Sequence, residues 1–242
     1  MLLRRLLPLA LLPFTAFTHA ACTLTDPTLT LQSYTVNPQQ ERIVMYWQKQ
    51  NGKAWGSLRS LLADINKDDR VQMAMNGGIY DKAYEPLGLY IENGEQIKPL
   101  NRASGGGNFF IRPGGVFWLK GQRAGITPIN KFKPSPEITY AVQSGPMLIE
   151  NGAINWRLKP SASSRKLRNG VGIDKQGRVV FMLSEREINF YDFACYAQSK
   201  LHVRQMLYLD GTISKMYQKG GSIPWQYHPF VTMIAVETQK PG

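Results

Sequence analysis

The sequence predicts a strand-rich α/β domain with few helices. Short apolar or alternating runs recur along the chain and are separated by Asn-Gly, Pro-Gly and Asn-Pro pairs, a pattern typical of strands joined by tight turns. Only two segments have the spacing of an amphipathic helix. No linker, repeat or change of composition divides residues 21–242. We therefore expect one domain with a large mixed sheet and a cleft at its glycine-rich strand ends.

The first third of the domain is expected to contain three strands and one helix. Thr28–Val36 and Glu41–Gln50 alternate in polarity and flank an Asn-Pro turn, which predicts two strands. A helix is expected over residues 55–66, because its apolar residues are spaced three or four apart. The alternating run Arg70–Met75 predicts the third strand.

The rest of the chain predicts three hairpins, three further strands and a second helix. The hairpins pair Leu89–Ile91 with Gln96–Ile97, Asn108–Ile111 with Val116–Leu119, and Met147–Ile149 with Ala153–Ile154. The continuous apolar run Arg178–Leu183 predicts a strand buried on both faces. The second helix is expected at Asn189–Leu201, followed by strands at Gln205–Leu209 and Phe230–Val236.

Residues 1–20 have the features of a secretory signal peptide. Arg4 and Arg5 precede an apolar stretch over residues 6–17, and small residues at Thr18 and Ala20 fit a cleavage site after Ala20. This interpretation predicts a periplasmic or secreted protein with no membrane span after processing. A retained membrane anchor is an alternative, but two prolines interrupt the short apolar stretch.

The two cysteines, Cys22 and Cys195, are expected to form a disulfide, because an exported chain enters an oxidising compartment. Lipidation of Cys22 is the alternative; His19 stands where a lipidation signal has an aliphatic residue. Two cysteines and three histidines exclude a cysteine-only zinc site and, once His19 is removed, a three-histidine metal site. We expect no metal and no cofactor.

The formal net charge of +12 raises the question of nucleic-acid binding. The basic residues are scattered, and no helix-turn-helix, zinc-finger or ribonucleoprotein motif accompanies them. We therefore expect no nucleic-acid partner. On an exported protein, a basic surface suits an anionic glycan or a phosphate-bearing substrate, or serves solubility alone.

Glycine-rich junctions at strand ends provide the candidate functional residues. Polar groups on tight turns at the ends of strands are a common way for a sheet to present functional atoms. Four junctions, and the segment Ser184-Glu185-Arg186 that follows a predicted strand, have this character; the four are Met75-Asn76-Gly77-Gly78-Ile79-Tyr80-Asp81, Gln143-Ser144-Gly145-Pro146, Arg168-Asn169-Gly170-Val171-Gly172-Ile173-Asp174 and Leu209-Asp210-Gly211-Thr212-Ile213-Ser214. Each is also a plain turn former, so the argument depends on several occurring together.

The chemistry of these junctions suits an anionic substrate. Arg168, with Arg165 nearby, offers a guanidinium for phosphate, and glycine turns offer backbone N–H groups. Carboxylates for acid, base or nucleophilic work are available at Asp81, Asp174, Glu185 and Asp210. Asp174 equally fits a hairpin turn. Signatures of serine hydrolases, HExxH metalloproteases and P-loop nucleotidases are missing from the sequence.

In this order, the segments AMNGGIYD, PLGLYIENG, GNFFIRPGGVFWL, QSGPMLIENG, RNGVGID and LYLDGTISKMY resemble the phosphodiester glycosidase family, over residues 40–236. The resemblance implies a mixed α/β fold and hydrolysis of a sugar-1-phosphodiester at the anomeric carbon. Asp210-Gly211-Thr212-Ile213-Ser214 and Ser184-Glu185-Arg186 depart from the branch that acts on mannose 6-phosphate tags. The chain is more similar to the bacterial exported branch, so the exact substrate does not transfer.

The substrate class then suggests roles for individual residues. We assign Arg168 to the phosphate, Asp210 to the carboxylate that stabilises the transition state, and Glu185 as a second carboxylate candidate. The expected substrate-binding residues are Asn76, Gly77, Gly78, Asp81, Ser144, Gly145, Asn169, Gly211 and Ser214. A non-catalytic periplasmic protein that binds an anionic glycan or sugar phosphate is the alternative. A pure phosphate binder gains nothing from Asp210, which favours an enzyme.

Overall fold

A computed structural model describes residues 22–239, and the predicted signal peptide lies outside this range. The described chain has fifteen strands and two α-helices. In chain order the elements are β1 Leu31–Val36, β2 Glu41–Tyr46, α1 Leu58–Ile65, β3 Val71–Asn76, β4 Tyr90–Glu92, β5 Glu95–Lys98, a 3₁₀ turn Asn108–Phe110, β6 Gly115–Lys120, β7 Arg123–Pro128, β8 Tyr140–Ser144, β9 Met147–Glu150, β10 Ala153–Ile154, β11 Asn169–Asp174, β12 Val179–Ser184, α2 Phe190–Lys200, β13 Val203–Tyr208, β14 Met216–Gln218 and β15 Met233–Thr238.

The strands form three antiparallel sheets. Sheet I has six strands in the order β1-β12-β11-β13-β9-β10, sheet II has four in the order β14-β3-β15-β2, and sheet III has five in the order β5-β4-β8-β6-β7. The expected strand-rich single domain with few helices is confirmed. The strands are divided among three sheets rather than gathered in one large mixed sheet, and every pairing is antiparallel, with four of the pairs formed as hairpins between consecutive strands.

One apolar core lies between the three sheets, and the helices cover two outer faces. Phe117 of sheet III meets Phe181 of sheet I edge to face, with ring centres 6.1 Å apart, inside a cluster that also includes Met75 of sheet II. The α1 helix packs on sheet II through Leu58 and Leu61, while α2 packs on sheet I. Burial of this much apolar surface is the main source of stability in a domain of this size.

The helices begin where the sequence supplies a cap. The Ser57 hydroxyl accepts a hydrogen bond from the N–H of Ser60 at 3.0 Å, and the Asn189 side chain accepts one from Asp192 at 2.8 Å. Such bonds satisfy N–H groups that the first helical turn leaves free. Both predicted helices are therefore confirmed, each one to three residues shorter at its ends than the apolar pattern suggested.

The N-terminal segment is held against α2. Cys22 and Cys195 form a disulfide with Cα atoms 5.6 Å apart, which confirms the predicted pairing. Three residues after Cys22, the Thr25 N–H donates to the Asp192 carboxylate at 2.8 Å, and Asp26 pairs with Arg186. Within residues 22–239, no helix combines the length and apolar composition needed to cross a bilayer.

Several predicted elements differ from the structure. The run Asn108–Ile111 forms a 3₁₀ turn rather than a strand, and the partner of β6 is the unpredicted β7. The predicted junction at Arg168–Asp174 is mostly a strand, β11, buried along its whole length. Two glycines in six residues suggest a turn, but here they let neighbouring side chains pack closely against the strand.

The register brings the ends of five strands to one edge of the molecule. Asn76, at the end of β3, lies opposite Met233 at the start of β15, and Gly77 donates to the Thr232 carbonyl at 2.8 Å. In sheet I, Gly170 near the start of β11 lies opposite Tyr208 at the end of β13. The Tyr208 N–H donates to the Pro146 carbonyl at 3.0 Å, which places the end of β8 at the same edge.

Candidate active site

Asn76 is the structural centre of this edge. Its side chain is 2% exposed; Nδ2 donates to the Asp210 carbonyl at 2.8 Å, and Oδ1 accepts from the Lys215 N–H at 3.2 Å. Asn76 therefore holds both ends of the loop that follows β13. This contact accounts for an asparagine here without a substrate, and direct substrate binding by Asn76 stays a prediction.

Gly77 and Gly78 let two strand ends approach closely. A Cβ on Gly77 would lie 2.5 Å from Oγ1 of Thr232, and one on Gly78 would lie 2.8 Å from a methyl group of Val142. The Gly77 carbonyl accepts from the Asp210 N–H at 3.3 Å. Only glycine fits at such separations, so this pair brings sheets II and III to the same point as Asp210.

The Asp210 carboxylate lies at the edge of sheet I without a hydrogen-bond or ion-pair partner among the described residues. The backbone of Asp210 is fixed by Asn76 and Gly77, but its carboxylate has no hydrogen-bond donor and no ion-pair partner among residues 22–239. Burial, with no compensating cation, raises the pKa of this carboxyl to about 6. A half-buried, unpaired acid with a raised pKa at the convergence of three sheets is typical of a functional carboxylate.

The turn after Asp210 is fixed at both ends. The Gly211 N–H donates to the Tyr208 hydroxyl at 2.8 Å, and the Ser214 hydroxyl donates to the Asp210 carbonyl at 3.0 Å. A Cβ on Gly211 would lie 2.4 Å from the Leu167 carbonyl, so this position requires glycine. Both predicted residues, Gly211 and Ser214, are therefore placed beside Asp210, although their contacts shape the turn.

Two fully buried polar side chains near Asp210 lack a partner. Ser144 Oγ and Asn169 Oδ1 have no hydrogen-bond partner among the described residues. Asn169 Nδ2 donates to the Asn76 carbonyl at 3.3 Å, and the Asn169 carbonyl accepts from the Leu209 N–H at 3.2 Å. Since native proteins rarely leave buried polar atoms unpaired, each is expected to bond to a group from outside the chain, either an ordered water or a ligand.

Ser144 and the adjoining Gly145 lie at the end of β8. Ser144 pairs with Gly115 across sheet III, and its Cβ lies 3.7 Å from the position that a Cβ on Gly78 would occupy. A Cβ on Gly145 would lie 2.8 Å from the Phe109 carbonyl. The glycine therefore permits the close turn that brings Ser144 to the edge.

Arg168 lies beneath this edge rather than on it. The residue is 1% exposed; its Nε donates to the Ile188 carbonyl at 3.1 Å, and one terminal nitrogen donates to the Ser164 carbonyl at 2.9 Å. Its guanidinium carbon lies 3.9 Å from the ring centre of Phe190 and 5.6 Å from that of Tyr208. Its burial lowers the pKa of the guanidinium. Phosphate binding by Arg168 stays a prediction, and the guanidinium already has protein partners.

Of the remaining predicted carboxylates, one is exposed to solvent and two stabilise turns. Glu185 is exposed just after β12, and its side chain makes no hydrogen bond or ion pair with residues 22–239. The Asp81 carboxylate accepts the N–H groups of Ala83 and Glu85 at 2.8 and 3.1 Å, which fixes a turn. Asp174 pairs with Arg178 at 2.6 Å in a hairpin, as its turn interpretation predicted.

Tyr80, Tyr208 and Thr232 complete the edge and were not singled out from the sequence. The Asp210 carboxylate, after burial, contributes to raising the pKa of Tyr80, which places this phenol close to it. Thr232 accepts the Gly78 N–H at 3.1 Å. Tyr80 directly follows the Asn-Gly-Gly-Ile segment and could have been found from it. Nothing in the sequence marks Tyr208 or Thr232 as a site residue, since each has the pattern of an ordinary strand residue.

The described residues form no cluster of three or more His, Cys, Asp or Glu side chains with the geometry to hold a metal ion. Asp210 is the acid at this edge, and the neighbouring functional atoms are hydroxyl, amide and backbone groups. This combination can bind sugar hydroxyls and an anion while placing a carboxylate at a reacting carbon.

Comparison with solved structures shows the fold. The catalytic domain of zebrafish N-acetylglucosamine-1-phosphodiester alpha-N-acetylglucosaminidase, auto-inhibited by its pro-peptide, matches with a TM-score of 0.57 at 14% identity, over 92% of this chain and 87% of that chain. A hypothetical protein from Synechocystis matches with a TM-score of 0.54 at 14% identity, over 86% of this chain and 59% of that chain. A protein from Burkholderia pseudomallei K96243 whose name describes it as exported matches with a TM-score of 0.55 at 9% identity, over 85% and 73%.

Sequence comparison shows the family. The chain is 65% identical over 234 residues to the uncharacterized protein YigE of Escherichia coli (strain K12), covering 97% of this chain and 92% of that protein. The disulfide between Cys22 and Cys195 fits a protein outside the cytoplasm. The family model described as phosphodiester glycosidase matches residues 69–237, which include every predicted site residue. The chain belongs to the phosphodiester glycosidase family.

Proposed function

We propose that this chain is an exported hydrolase that cleaves the glycosidic C1–O bond of a sugar-1-phosphodiester in an envelope or extracellular glycan. The observation that carries the proposal is the Asp210 carboxylate, half-buried and unpaired among the described residues where three sheets meet. Family membership supports hydrolysis in general. The name of the zebrafish relative supports a sugar-1-phosphodiester as the substrate class.

The proposed chemistry depends on an ionised carboxylate more than on a proton donor. A phosphate monoester that leaves from C1 departs as a stable anion, so protonation of the leaving group contributes little. Positive charge develops at C1 instead, and an ionised Asp210 beside it would stabilise this charge. A pKa of about 6 also leaves Asp210 ionised at neutral pH and basic enough to take a proton from water.

The unpaired atoms beside Asp210 are suited to orient the sugar. Ser144 Oγ can donate to or accept from a sugar hydroxyl, and Asn169 Oδ1 can accept from one. Neither atom has a partner in the described part of the chain, so a hydroxyl within reach adds a hydrogen bond without displacing a protein group. A ligand without hydroxyls at these positions would leave both atoms unpaired and bind weakly.

The turn after Asp210 is the part of the edge best suited to bind the phosphate. The N–H groups of Thr212 and Ile213 have no acceptor within the described part of the chain, whereas those of Asp210 and Gly211 are occupied. Successive free N–H groups in a turn form an anion-binding nest. We therefore assign phosphate binding first to this turn and give Arg168 a positioning role, through Tyr208, on the same turn.

Glu185 is kept as the second carboxylate. Glu185 is exposed and directly follows Ser184. The Ser184 hydroxyl accepts the Arg168 N–H at 2.7 Å, so Glu185 adjoins the residue that contacts the Arg168 backbone. A bound substrate that extends over this segment could bring its outer part to Glu185. Loss of activity in Glu185→Gln with wild-type stability would support that role, and wild-type activity would remove Glu185 from the site.

The test is hydrolysis of methyl N-acetylglucosamine-1-phosphate and methyl glucose-1-phosphate diesters in ¹⁸O-labelled water. Cleavage at C1–O places ¹⁸O on the sugar and releases unlabelled methyl phosphate, whereas a phosphodiesterase places ¹⁸O on phosphate. Asp210→Asn should abolish most of the activity, and Asp68→Asn, an exposed acid outside the site, should not. Label on phosphate, or no turnover by the wild-type protein, would refute the proposal.

A further inference from the structure

The loop after Gly78 presents an aromatic pair beside Asp210. Leu87 donates its N–H to the Ile79 carbonyl at 3.1 Å, and Asp81 donates to the Glu85 carbonyl at 2.9 Å, so the loop folds back on itself as a short hairpin. The Asp81 carboxylate accepts two further N–H groups inside it. The loop is therefore rigid without any contact from a ligand.

Tyr84 has an unusual conformation at the tip of this loop. Its φ angle is +59°, in the left-handed region, and its side chain is 55% exposed. Asparagine or glycine occupies this region more comfortably than an aromatic residue does. Strain of this kind, on a ring that contributes little to the core, is typical of a residue kept for binding.

The rings of Tyr80 and Tyr84 stack on each other with an offset, which leaves the outer face of Tyr84 and part of Tyr80 uncovered. Their planes are 19° from parallel and their centres are 5.7 Å apart, which is an offset stack. Together with Asp81 and Lys82 they line an open cavity of about 510 Å³. Tyr80 is the inner member, because it is half-buried where Tyr84 is exposed, and because it lies three residues after Gly77, which contacts the Asp210 backbone.

We propose that the Tyr80–Tyr84 surface is the platform on which the glycosyl ring of the substrate stacks, with its C1 end directed toward Asp210. This inference rests on the proposed function and extends it from the reacting bond to sugar recognition. The apolar C–H face of a pyranose matches an aromatic face, and the hydroxyls at its rim remain free for Ser144 and Asn169. Lys82, on the same loop, adds positive charge beside the phosphate.

The choice of the glycosyl unit over the leaving group follows from position. The ring closest to Asp210 must belong to the residue whose C1 reacts, since Asp210 is assigned to the charge that develops there. Of the two aromatic rings of the platform, Tyr80 lies nearer to Asp210, because it follows by three residues Gly77, whose carbonyl accepts the Asp210 N–H at 3.3 Å. Tyr84, further out and more exposed, would extend the platform under the same sugar or under a second sugar of a longer glycan.

The test uses substitutions that separate strain from binding. Tyr84→Asn keeps a residue suited to positive φ, so the melting temperature should stay the same or rise, while KM should increase about tenfold with little change in kcat. Tyr84→Phe should retain the wild-type KM, because the face of the ring is kept. Tyr227→Asn is the matched control: Tyr227 is 77% exposed on another loop, and the substitution should change neither quantity. A wild-type KM in Tyr84→Asn would overturn the platform.

A binding experiment separates this inference from the proposed function. The Asp210→Asn protein is titrated with N-acetylglucosamine 1-phosphate and with glucose 1-phosphate by calorimetry, with and without Tyr84→Asn. Saturable binding that weakens about tenfold with Tyr84→Asn supports the platform even if no diester is hydrolysed. No saturable binding of either probe, or binding unaffected by Tyr84→Asn, overturns it, and hydrolysis by the wild-type protein would then leave the proposed function standing.

Discussion

Replacement of Asp210 by asparagine should make the protein more stable and far less active. Asparagine keeps the size of the side chain and removes a half-buried charge that has no partner among the described residues. The carboxyl has a pKa of about 6 in the folded chain against 3.8 in the unfolded chain, a difference of about two pH units. At 1.36 kcal/mol per unit, the buried charge lowers the free energy of unfolding at neutral pH by up to about 3 kcal/mol.

The pH dependence has a definite sign. Well below pH 3.8 the group is protonated in both states and costs nothing; as the pH rises from 3.8 to about 6, the unfolded chain ionises first and stability falls. Asp210→Asn should therefore match the wild type in stability at low pH and exceed it at pH 7.5. For a domain of this length, the gain corresponds to a melting temperature higher by about 5–10 °C.

The activity should change in the opposite direction. If the carboxylate stabilises positive charge at C1, its removal should lower kcat by about 100-fold or more, equivalent to about 3 kcal/mol in the barrier. For the wild type, kcat/KM should rise with pH through about 6 and then level, as Asp210 ionises. Thermal unfolding at pH 4 and 7.5 and turnover of a sugar-1-phosphodiester provide both measurements. Near-wild-type turnover, or a lower melting temperature at pH 7.5, would refute this reasoning for Asp210.

Three further predictions concern its surroundings. Ser144→Ala removes a buried hydroxyl that has no partner, so stability should be unchanged or higher while kcat/KM falls about tenfold; a loss of stability would show that the hydroxyl is structural. Tyr208→Phe leaves the Gly211 N–H without its acceptor and should lower both stability, by about 1–3 kcal/mol, and kcat, whereas an unchanged kcat would separate this bond from catalysis. In the exported protein neither Cys22 nor Cys195 should react with an alkylating reagent before reduction, and loss of the disulfide should cost about 2–5 kcal/mol of stability; two reactive thiols would exclude the bond.

Local sequence patterns were sufficient for the parts of the fold that depend on neighbouring residues. Both helices were predictable, because each has a capping side chain and a stripe of apolar residues. The Asn93-Gly94 and Asn151-Gly152 turns were predictable for a similar reason: both asparagines have φ near +51°, which this residue tolerates. The disulfide followed from counting cysteines in a chain with an export signal.

Strand β11 shows where local patterns fail. Its glycines read as a turn, but Cβ atoms at Gly170 and Gly172 would lie 2.9 Å and 2.6 Å from atoms of β13. Close packing against a strand about thirty residues later therefore decides the conformation, and no local pattern contains that information. The 3₁₀ turn at Asn108–Phe110 is a similar case, because the end of β8 packs against it.

The sequence alone determined the strand-rich class, the short list of polar residues at glycine-rich junctions, and the choice of Asp210 as the main carboxylate. Only the tertiary structure decided what each of these residues touches. Arg168 and Asp210 lie at adjacent strand ends. The Arg168 guanidinium packs under this edge against Phe190, whereas the Asp210 carboxylate lies at the edge without a partner among the described residues. Burial, ionisation and unpaired atoms are properties of the space between strands distant in the chain, and that space exists only after the three sheets have packed together.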